Sequence, residues 1–407
     1  MPEFEITRLG HKGDGIAPGP FFAPMTLPGE VITATPDGQS LDDVRILTPS
    51  PDRVSAPCPH YRSCGGCQLM HASDTFVQNW KIDTVRSALA AHDLTAPMRD
   101  TAISPPRSRR RATFSARRTK KGATAGFNAR GSDLIVEIQQ CRLLLPDLVA
   151  ALPAVKSLAV LGASRKAGLD VSVTISDGGL DVLVTGGKPL DEALRVSLAA
   201  LAETQDLARL SWADEIVVTR RPPEQDFDGI RVVPPPGAFL QATTAGEAAL
   251  RQDVQEITAG AARVVDLFAG CGTFALPLAR NSMVHAVEGQ ADMITALDRG
   301  WRRADGLKSV TTQVQDLFRQ PLMPDDLSSF DAVVIDPPRA GAEAQIEQIA
   351  QAQVPVVAYV SCNPVSFARD AKRLVAGGYE LLWVRTVDQF RWSTHVELVA
   401  EFRFAPR

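Results

Sequence analysis

Residues 264–273 read VVDLFAGCGT and indicate the fold of the carboxyl-terminal half of the chain. The apolar run before the glycines predicts a strand, and Gly270 and Gly272 allow a sharp turn into a helix. Further apolar runs alternate with helical patterns, at residues 283–287, 332–335 and 354–360. This alternation predicts a parallel, doubly wound α/β sheet. The runs at 381–387 and 396–404 are too close for a helical crossover, so we expect them to pair antiparallel.

Acidic residues near the predicted strands indicate the charge of a ligand. Asp266 precedes the glycine turn, where a carboxylate would repel a pyrophosphate and attract an ammonium or sulfonium group. Glu288 ends the next predicted strand, where an acid can accept hydrogen bonds from ribose hydroxyls. Asp316 and Asp336 add to this acidic character, and the third glycine of a dinucleotide fingerprint is missing. The pattern therefore favours S-adenosylmethionine over NAD.

Cys362 stands where a nucleophile is expected. It follows the predicted strand at 354–360, has the polar neighbours Ser361 and Asn363, and precedes a helix whose amino-terminal dipole favours a thiolate. A free cysteine is most often a buried apolar residue, but this context favours catalysis. Ligands of open α/β sheets bind beyond the carboxyl ends of the strands, so Cys362 and the DPPR segment at 336–339 should border one cleft.

A thiolate beside a methyl donor indicates methylation at carbon 5 of a pyrimidine. Sulfur addition at carbon 6 makes carbon 5 nucleophilic, and a base must later remove the carbon 5 proton. Glu397 is the candidate base, although a solvated strand acid is an equally open interpretation. An amino-group methyltransferase would carry an aromatic residue where Arg339 stands, and an RNA cytosine-C5 enzyme would carry a second cysteine near Pro337. Both alternatives therefore rank lower.

Taken together, the motifs resemble those of the RNA uracil-C5 methyltransferases. They are FLQ at 239–241, DLFAGCGTF at 266–274, DPPRAG at 336–341, SCNP at 361–364 and HVE at 395–397. The resemblance implies that Cys362 adds to uracil C6 and that Glu397 removes the C5 proton. It also implies contacts with S-adenosylmethionine from Gln241, Phe268, Glu288, Asp316 and Asp336, beside the turn glycines Gly270 and Gly272. The amino-terminal ITRLGHKGDGIA and LPGE segments are similar to the family's TRAM module, a small OB-like RNA-binding barrel.

Four cysteines outside this region have a spacing typical of metal ligands. They are Cys58, Cys64, Cys67 and the more distant Cys141. Spacing alone leaves tetrahedral zinc and an iron–sulfur cluster equally open. The resemblance implies a [4Fe–4S] cluster, because the pattern is similar to the iron–sulfur branch of the family. That branch implies 23S ribosomal RNA as the substrate, with tRNA as the alternative. Because the methyl donor is already activated, we expect the cluster to shape the RNA-binding domain.

Changes of sequence texture predict three domains. We expect a TRAM-like β-barrel at 1–50, a central α+β RNA-binding domain with the cysteines at 51–235, and an S-adenosylmethionine-dependent methyltransferase domain at 236–407. Residues 107–121 carry eight basic side chains and no acid. The interleaved Phe114 favours phosphate contact with base stacking over a merely solvated face. Thr244 and Glu247 are typical of a capping box at the start of the third domain.

Composition restricts the remaining possibilities. The 407 residues include 43 Lys and Arg against 47 Asp and Glu, a net charge of −4, so RNA binding requires a local basic patch. Neither a signal layout nor an apolar run of membrane-spanning length is present, so we expect a cytoplasmic protein with no membrane partner. We expect a monomer. A non-catalytic iron–sulfur RNA-binding protein with a relic methyltransferase fold is the alternative, and it would bind RNA without turnover.

Overall fold

The computed structural model describes residues 1–164 and 167–405, and over these residues the strands form four sheets. The amino-terminal strands are β1 Glu3–Glu5, β2 Arg8–Leu9, β3 Gly15–Ala17, β4 Phe21–Ala23, β5 Val31–Asp37 and β6 Ser40–Thr48. They form a sheet in the order β1-β5-β6-β4-β3-β2. This sheet has its own apolar core of Ile6, Ala17, Ala23, Ile32, Ala34 and Leu41. The amino-terminal segment thus folds around a core separate from the others.

A helix and a strand follow the cysteine-containing loop. They are α1 Asp74–Ala90 and β7 Met98–Ile103. The hydroxyl of Ser73 caps α1 by accepting a hydrogen bond from the amide of Phe76. Such a cap satisfies one of the amides that a helix start leaves unpaired.

The central sheet has seven strands in the order β10-β9-β8-β11-β12-β13-β14. Its elements are β8 Arg111–Thr119, β9 Gly122–Asn128, β10 Ile135–Val136, α2 Pro146–Ala150, α3 Leu152–Gly162, β11 Leu169–Ser176, β12 Gly179–Thr185, α4 Glu192–Thr204, β13 Leu207–Trp212 and β14 Glu215–Thr219. Its core is built from the inward faces of these strands and helices. A short antiparallel pair follows, β15 Gln225–Asp226 and β16 Arg231–Val232.

The carboxyl-terminal half forms a mostly parallel sheet with helices on both faces. Its elements are α5 Thr244–Ile257, β17 Arg263–Leu267, α6 Ala275–Leu278, β18 Met283–Glu288, α7 Ala291–Arg303, β19 Val310–Val314, α8 Pro324–Leu327, β20 Ala332–Ile335, α9 Glu343–Ala352, β21 Val356–Ser361, α10 Pro364–Ala376, β22 Tyr379–Asp388 and β23 Leu398–Phe404. The strand order is β19-β18-β17-β20-β21-β23-β22-β7. Strand β23 runs antiparallel to both β21 and β22. The predicted doubly wound sheet with an antiparallel final pair is confirmed.

Apolar strands are buried by two layers of helices. All residues of β20 and β21 are buried, as expected for parallel strands covered on both faces. Alternate residues of the strands face helices α5, α6 and α7 on one side and helices α1, α9 and α10 on the other. Strand β7 extends the sheet beyond β22. Elements α1 and β7 precede residue 235, so this sheet is built from both sides of that predicted boundary.

The predicted capping box at Thr244 and Glu247 is wrong. The cap of α5 is Thr243, whose hydroxyl accepts a hydrogen bond from the amide of Gly246. Glu247 is buried and forms an ion pair with Arg110. A buried guanidinium requires a partner of opposite charge, and Glu247 supplies it.

Within 1–164 and 167–405, no helix combines the length and apolar character needed to cross a membrane.

Candidate active site

Strand register brings the predicted site residues to one edge of the large sheet. Leu267 of β17 lies beside Val287 of β18 and Ile335 of β20, and Ile335 lies beside Tyr359 of β21. The residues that follow or end these strands therefore share the carboxyl edge. They are Phe268, Glu288, Asp336 and Cys362. This edge is where open α/β sheets bind ligands.

The glycine turn after β17 is shaped around Glu288. The carboxylate of Glu288 accepts hydrogen bonds from the backbone amides of Gly270 and Gln290, each at 3.0 Å. Gly270 has φ 55°, and a Cβ placed on it would meet no atom within 4 Å. Gly272, at φ 94°, instead packs so closely that a Cβ would lie 2.8 Å from Leu276. The turn therefore offers open space for a ligand at Gly270 and close helix packing at Gly272.

Carboxyl groups dominate the charge of this edge. Asp266 is fully buried, and neither of its carboxylate oxygens has a hydrogen-bond partner among the described residues. Burial raises the pKa of Asp266 well above its ordinary value, and the nearby Asp336 raises it further. Burial likewise raises the pKa of Asp336. A positive charge at this edge would relieve the repulsion between these groups.

Two predicted contact residues lie on either side of this acidic group. Gln241 is buried, and its Nε2 donates a 3.3 Å hydrogen bond to Oδ2 of Asp336. Phe268 has φ 62°, and its ring lies 5.4 Å from the ring of Phe318. Asp316 follows β19 and accepts a hydrogen bond from the amide of Phe318. The predicted cofactor residues thus border one region.

Cys362 and Glu397 lie across from each other at the ends of two neighbouring strands. Ser361 of β21 is paired with Leu398 of β23, and the next position outward holds Cys362 opposite Glu397. Cys362 is half-buried, whereas Glu397 is only 3% exposed. The structure therefore brings together the two residues predicted as nucleophile and base.

The surroundings of Cys362 oppose the thiolate that the start of α10 is expected to favour. Burial raises the pKa of Cys362 to about 11, and the negative charges of Glu397 and Asp336 contribute in the same direction. Arg339 opposes this shift but does not cancel it. Burial and the acidic groups of this edge therefore act against the effect of the start of helix α10.

The loop and first turn of α10 are hydrogen-bonded to the loop after β20. Asn363 caps α10 by accepting from the amide of Val365, and its side-chain amide donates to the carbonyl of Arg339 at 2.8 Å. The hydroxyl of Ser366 also donates to this carbonyl, at 3.0 Å. The guanidinium of Arg339 donates to Nδ1 of His395. These bonds join the segments that carry Asp336, Cys362 and Glu397.

Sequence reasoning missed Gln389, which lies just after β22. Its Nε2 donates hydrogen bonds to Oε2 of Glu397 at 3.0 Å and to Oε1 of Gln241 at 2.6 Å. Burial and the charge of Asp336 raise the pKa of Glu397 well above its ordinary value, and the Gln389 bond acts in the opposite direction. A glutamine in an irregular segment carries no motif, so its role is visible only in three dimensions.

The four predicted metal ligands line one small pocket and are free thiols. The pocket holds Cys58, Cys64, Cys67 and Cys141, together with apolar side chains such as Phe127, Ile138 and Leu143. Burial raises the pKa of Cys64, Cys67 and Cys141, and the neighbouring sulfurs contribute to each shift. No group of three or more His, Cys, Asp or Glu side chains within the described residues is arranged to hold a metal ion.

The basic segment does not form a single RNA-facing surface. Phe114 is fully buried in the core of the central sheet, so its predicted stacking on a base is wrong. Arg110 is buried against Glu247, so the expectation that no acid compensates this segment is also wrong. Arg109 lies over the ring of Phe390 and Arg111 over that of Phe239. The remaining cations of the hairpin are Arg117, Arg118, Lys120 and Lys121, three of them exposed.

The chain is similar to known RNA methyltransferases. A family model described as tRNA (uracil-5-)-methyltransferase matches residues 303–400. An RNA methyltransferase of Mesorhizobium japonicum is 45% identical over 98% of this chain and 97% of its own length. The 23S rRNA (uracil(1939)-C(5))-methyltransferase of Chromohalobacter salexigens is 32% identical, over 96% of this chain and 87% of its own.

A solved structure shares the whole fold. The tRNA (uracil-54, C5)-methyltransferase of Pyrococcus abyssi, crystallised with S-adenosyl-L-homocysteine, superposes with a TM-score of 0.74 at 20% identity. The match covers 98% of this chain and 100% of that one. By its identity to the 23S rRNA (uracil(1939)-C(5))-methyltransferase over nearly its whole length, the chain belongs to the RNA uracil-C5 methyltransferases.

Proposed function

We propose that the protein transfers a methyl group from S-adenosylmethionine to C5 of a uridine in 23S ribosomal RNA through a covalent bond between Cys362 and uracil C6. The observation that carries this proposal is the placement of Cys362 opposite Glu397, beside the acidic glycine turn. A nucleophile and a base at one strand edge are the groups that this chemistry requires.

The residues around the turn fit the proposed methyl donor. Its amino and sulfonium groups are cations, and the unpartnered buried carboxylate of Asp266 favours positive charge nearby. Glu288 is held by two amides at the end of β18, where a ribose would bind. The proposed binding residues are Gln241, Phe268, Gly270, Gly272, Glu288, Asp316 and Asp336. When bound, this cofactor supplies an activated methyl group.

The protein's own residues perform the remaining chemistry. The Cys362 thiolate forms a bond to C6, and the electrons of the C5–C6 double bond become available at C5 for methyl transfer. C5 then carries a methyl group and a proton. The Glu397 carboxylate takes that proton, the C5–H electrons re-form the double bond, and the C6–S bond breaks to return the thiolate. The pyrimidine must leave its stack to reach Cys362.

The four-cysteine pocket supports the proposal of a [4Fe–4S] cluster. Its donor set is four free thiols with apolar walls, which matches the all-cysteine ligation of such clusters. In a cluster each cysteine binds a different iron, whereas zinc requires all four sulfurs at about 2.3 Å from one point. We favour the cluster over zinc because the spacing of the four cysteines resembles that of the family's iron–sulfur branch. Iron and sulfide analysis of protein purified without oxygen tests this choice.

The substrate and the RNA-binding surface are also proposals. The 23S rRNA enzyme of Chromohalobacter salexigens supports ribosomal RNA, because it is similar over nearly the whole chain. The tRNA enzyme of Pyrococcus abyssi makes tRNA the alternative. We propose that residues 1–50 form an OB-like RNA-binding barrel and residues 51–235 a second RNA-binding domain. The basic segment at 107–121 would contact RNA phosphates, through Arg109 and Arg111 near Phe390 and Phe239 and through the exposed Arg117 and Lys120 of the β8–β9 hairpin.

Mapping of 5-methyluridine tests the function. Ribosomal and transfer RNA from cells with and without the protein should differ at a 23S rRNA uridine, and purified protein should restore it. The Cys362→Ala variant should lose transfer. The Ser197→Ala variant is the control, because that serine is exposed on α4 of the central domain, outside the proposed reaction site. A difference confined to tRNA would favour the alternative substrate, and full activity of Cys362→Ala would exclude the covalent mechanism.

A further inference from the structure

We propose that Gln389 is a positioning residue for the base: its side-chain amide aims and holds the carboxylate of Glu397 at the reacting edge. This inference rests on the proposed function, in which Glu397 removes the C5 proton. Gln389 is 1% exposed and follows β22, so it reaches the site from the strand beside that of Glu397. No motif in the sequence assigns it a role.

The hydrogen-bond network determines which way the amide of Gln389 points. Its Oε1 accepts from the backbone amide of Ala242 at 2.7 Å, and a backbone amide can only donate. Nε2 must then face Glu397 and Gln241, with one hydrogen for each. Because Oε1 of Gln241 accepts from Gln389, its own Nε2 faces Asp336. The amide orientations are thus set by a backbone group rather than chosen freely.

The network directs donors, and only donors, at both carboxyl groups. Glu397 Oε2 receives an N–H from Gln389, and Asp336 Oδ2 receives an N–H from Gln241. A donor stabilises an ionised carboxylate relative to its acid. Gln389 therefore opposes the effect of burial and favours the form of Glu397 that can accept a proton, whereas Gln241 acts on Asp336.

The charged groups around Glu397 do not favour its ionised form, so a neutral hydrogen-bond donor is needed to do so. The negative charge of Asp336, at the end of β20, disfavours ionisation of Glu397. The charge of Glu397 in turn disfavours ionisation of Cys362, at the end of β21. On the α1 side, Lys81 is bonded to Asp388 at 2.7 Å and is neutralised there. On the remaining side, Arg339 donates to His395. Within the described residues, Gln389 is the side chain that donates a hydrogen bond to Glu397.

The affected step is the removal of the proton. The C5–H bond breaks, its proton moves to the Glu397 carboxylate, its electrons re-form C5=C6, and the Cys362 thiolate leaves. Loss of the Gln389 donor should slow this step and leave sulfur addition and methyl transfer in place. The covalent protein–RNA adduct should then accumulate.

The Gln389→Met variant tests the inference because methionine has a similar length and cannot donate. RNA carrying tritium at uridine C5 reports proton removal as tritium released to water, and a denaturing gel reports the adduct. We expect about tenfold slower release near pH 7.5 and a pH midpoint raised by about one unit. We expect the adduct to accumulate at neutral pH and to resolve at higher pH.

Gln345→Met is the matched control. Gln345 is also buried, and it bonds to the backbone of Leu322 away from the site. Its loss should lower stability and leave the pH midpoint unchanged. If Gln389→Met has an unchanged midpoint and no excess adduct while Glu397→Gln traps the adduct, the inference is wrong and the proposed function stands. If Glu397→Gln releases tritium normally, the assignment of the base fails, and the inference fails with it.

Discussion

The backbone amide of Gln68 donates a 2.9 Å hydrogen bond to the carbonyl oxygen of Trp392, and the amide of Leu69 donates to the same oxygen. Gln68 directly follows Cys67, and Trp392 lies in the loop that leads to Glu397. The indole of Trp392 is buried in a cluster that the partly buried side chains of Cys58, Cys67 and Cys141 pack against. The cysteine pocket is therefore in direct contact with the loop that carries the proposed base.

This contact predicts a selective defect when the pocket is damaged. Cys141→Ser should lower the rate of adduct formation by tenfold or more, because the Trp392 loop loses its packing partner. Cofactor affinity measured by calorimetry should remain unchanged, because the glycine turn is separate. Cys271→Ser, which lies outside the pocket, should leave the iron content unchanged. An equal loss of cofactor binding in Cys141→Ser would contradict the selective link.

A second prediction concerns the thiol of Cys362. Because burial and two carboxylates raise its pKa to about 11, its alkylation by iodoacetamide should remain slow through neutral pH in the free protein. The Glu397→Gln variant should lower the midpoint, by about one unit, because a negative charge near the thiolate is removed. Mass spectrometry of the alkylated peptide across pH measures both values. A midpoint below 8 in the free protein would show that the helix dipole dominates.

A third prediction concerns stability. Burial raises the pKa of Glu397 in the folded state above its unfolded value. Its contribution to stability is therefore fully present below the unfolded pKa, near 4.5, and is lost as pH rises through the raised folded pKa. Glu397→Gln should be more stable than the parent at pH 8.5 by about 1 kcal/mol or more, with little gain near pH 4.5.

Thermal unfolding at these two pH values measures this difference. The shift in Tm at pH 8.5 should be about 2–4 °C. The matched control is Glu380→Gln, an exposed acid on β22, which should shift Tm little at either pH. If Glu397→Gln were less stable than the parent at pH 8.5, the ionised acid would stabilise the fold, and the prediction would be wrong.

A fourth prediction concerns RNA binding. Arg117→Glu combined with Lys120→Glu reverses two exposed charges on the β8–β9 hairpin. If these side chains contact phosphates, the variant should bind RNA at least tenfold more weakly at low salt, and the slope of log affinity against log salt should fall by about one to two. Filter binding over a salt series measures the slope, and cofactor affinity is the control. An unchanged slope would show that RNA phosphates do not contact these two side chains.

Much of the site could be predicted from sequence because parallel strands align their carboxyl ends. The runs at 264–268, 283–287, 332–335 and 354–360 are predicted to be parallel strands. Once they are, Glu288, Asp336 and Cys362 must share an edge of the sheet. Glu397 joins them because β23 runs antiparallel beside β21. Periodicity and turn residues are local signals, and they were sufficient here.

Other features depend on contacts between distant segments. The addition of β7 beside β22 joins residues separated by almost 300 positions, and no local pattern encodes that pairing. A basic run is normally a surface feature, which predicts RNA contacts for Arg110 and Phe114, yet tertiary packing buries both. The raised pKa of Cys362 depends on how two carboxylates surround it, which spacing does not show.

Trapping of the protein–RNA adduct by Glu397→Gln tests directly whether Cys362 is the nucleophile and Glu397 the base. The variant is incubated with uridine-containing substrate RNA and S-adenosylmethionine, and the adduct is isolated under denaturing conditions and mapped by mass spectrometry. We expect a methylated uridine joined to Cys362, because addition and methyl transfer proceed while proton removal cannot. Freely released 5-methyluridine product without an adduct, or an adduct at another residue, would contradict it.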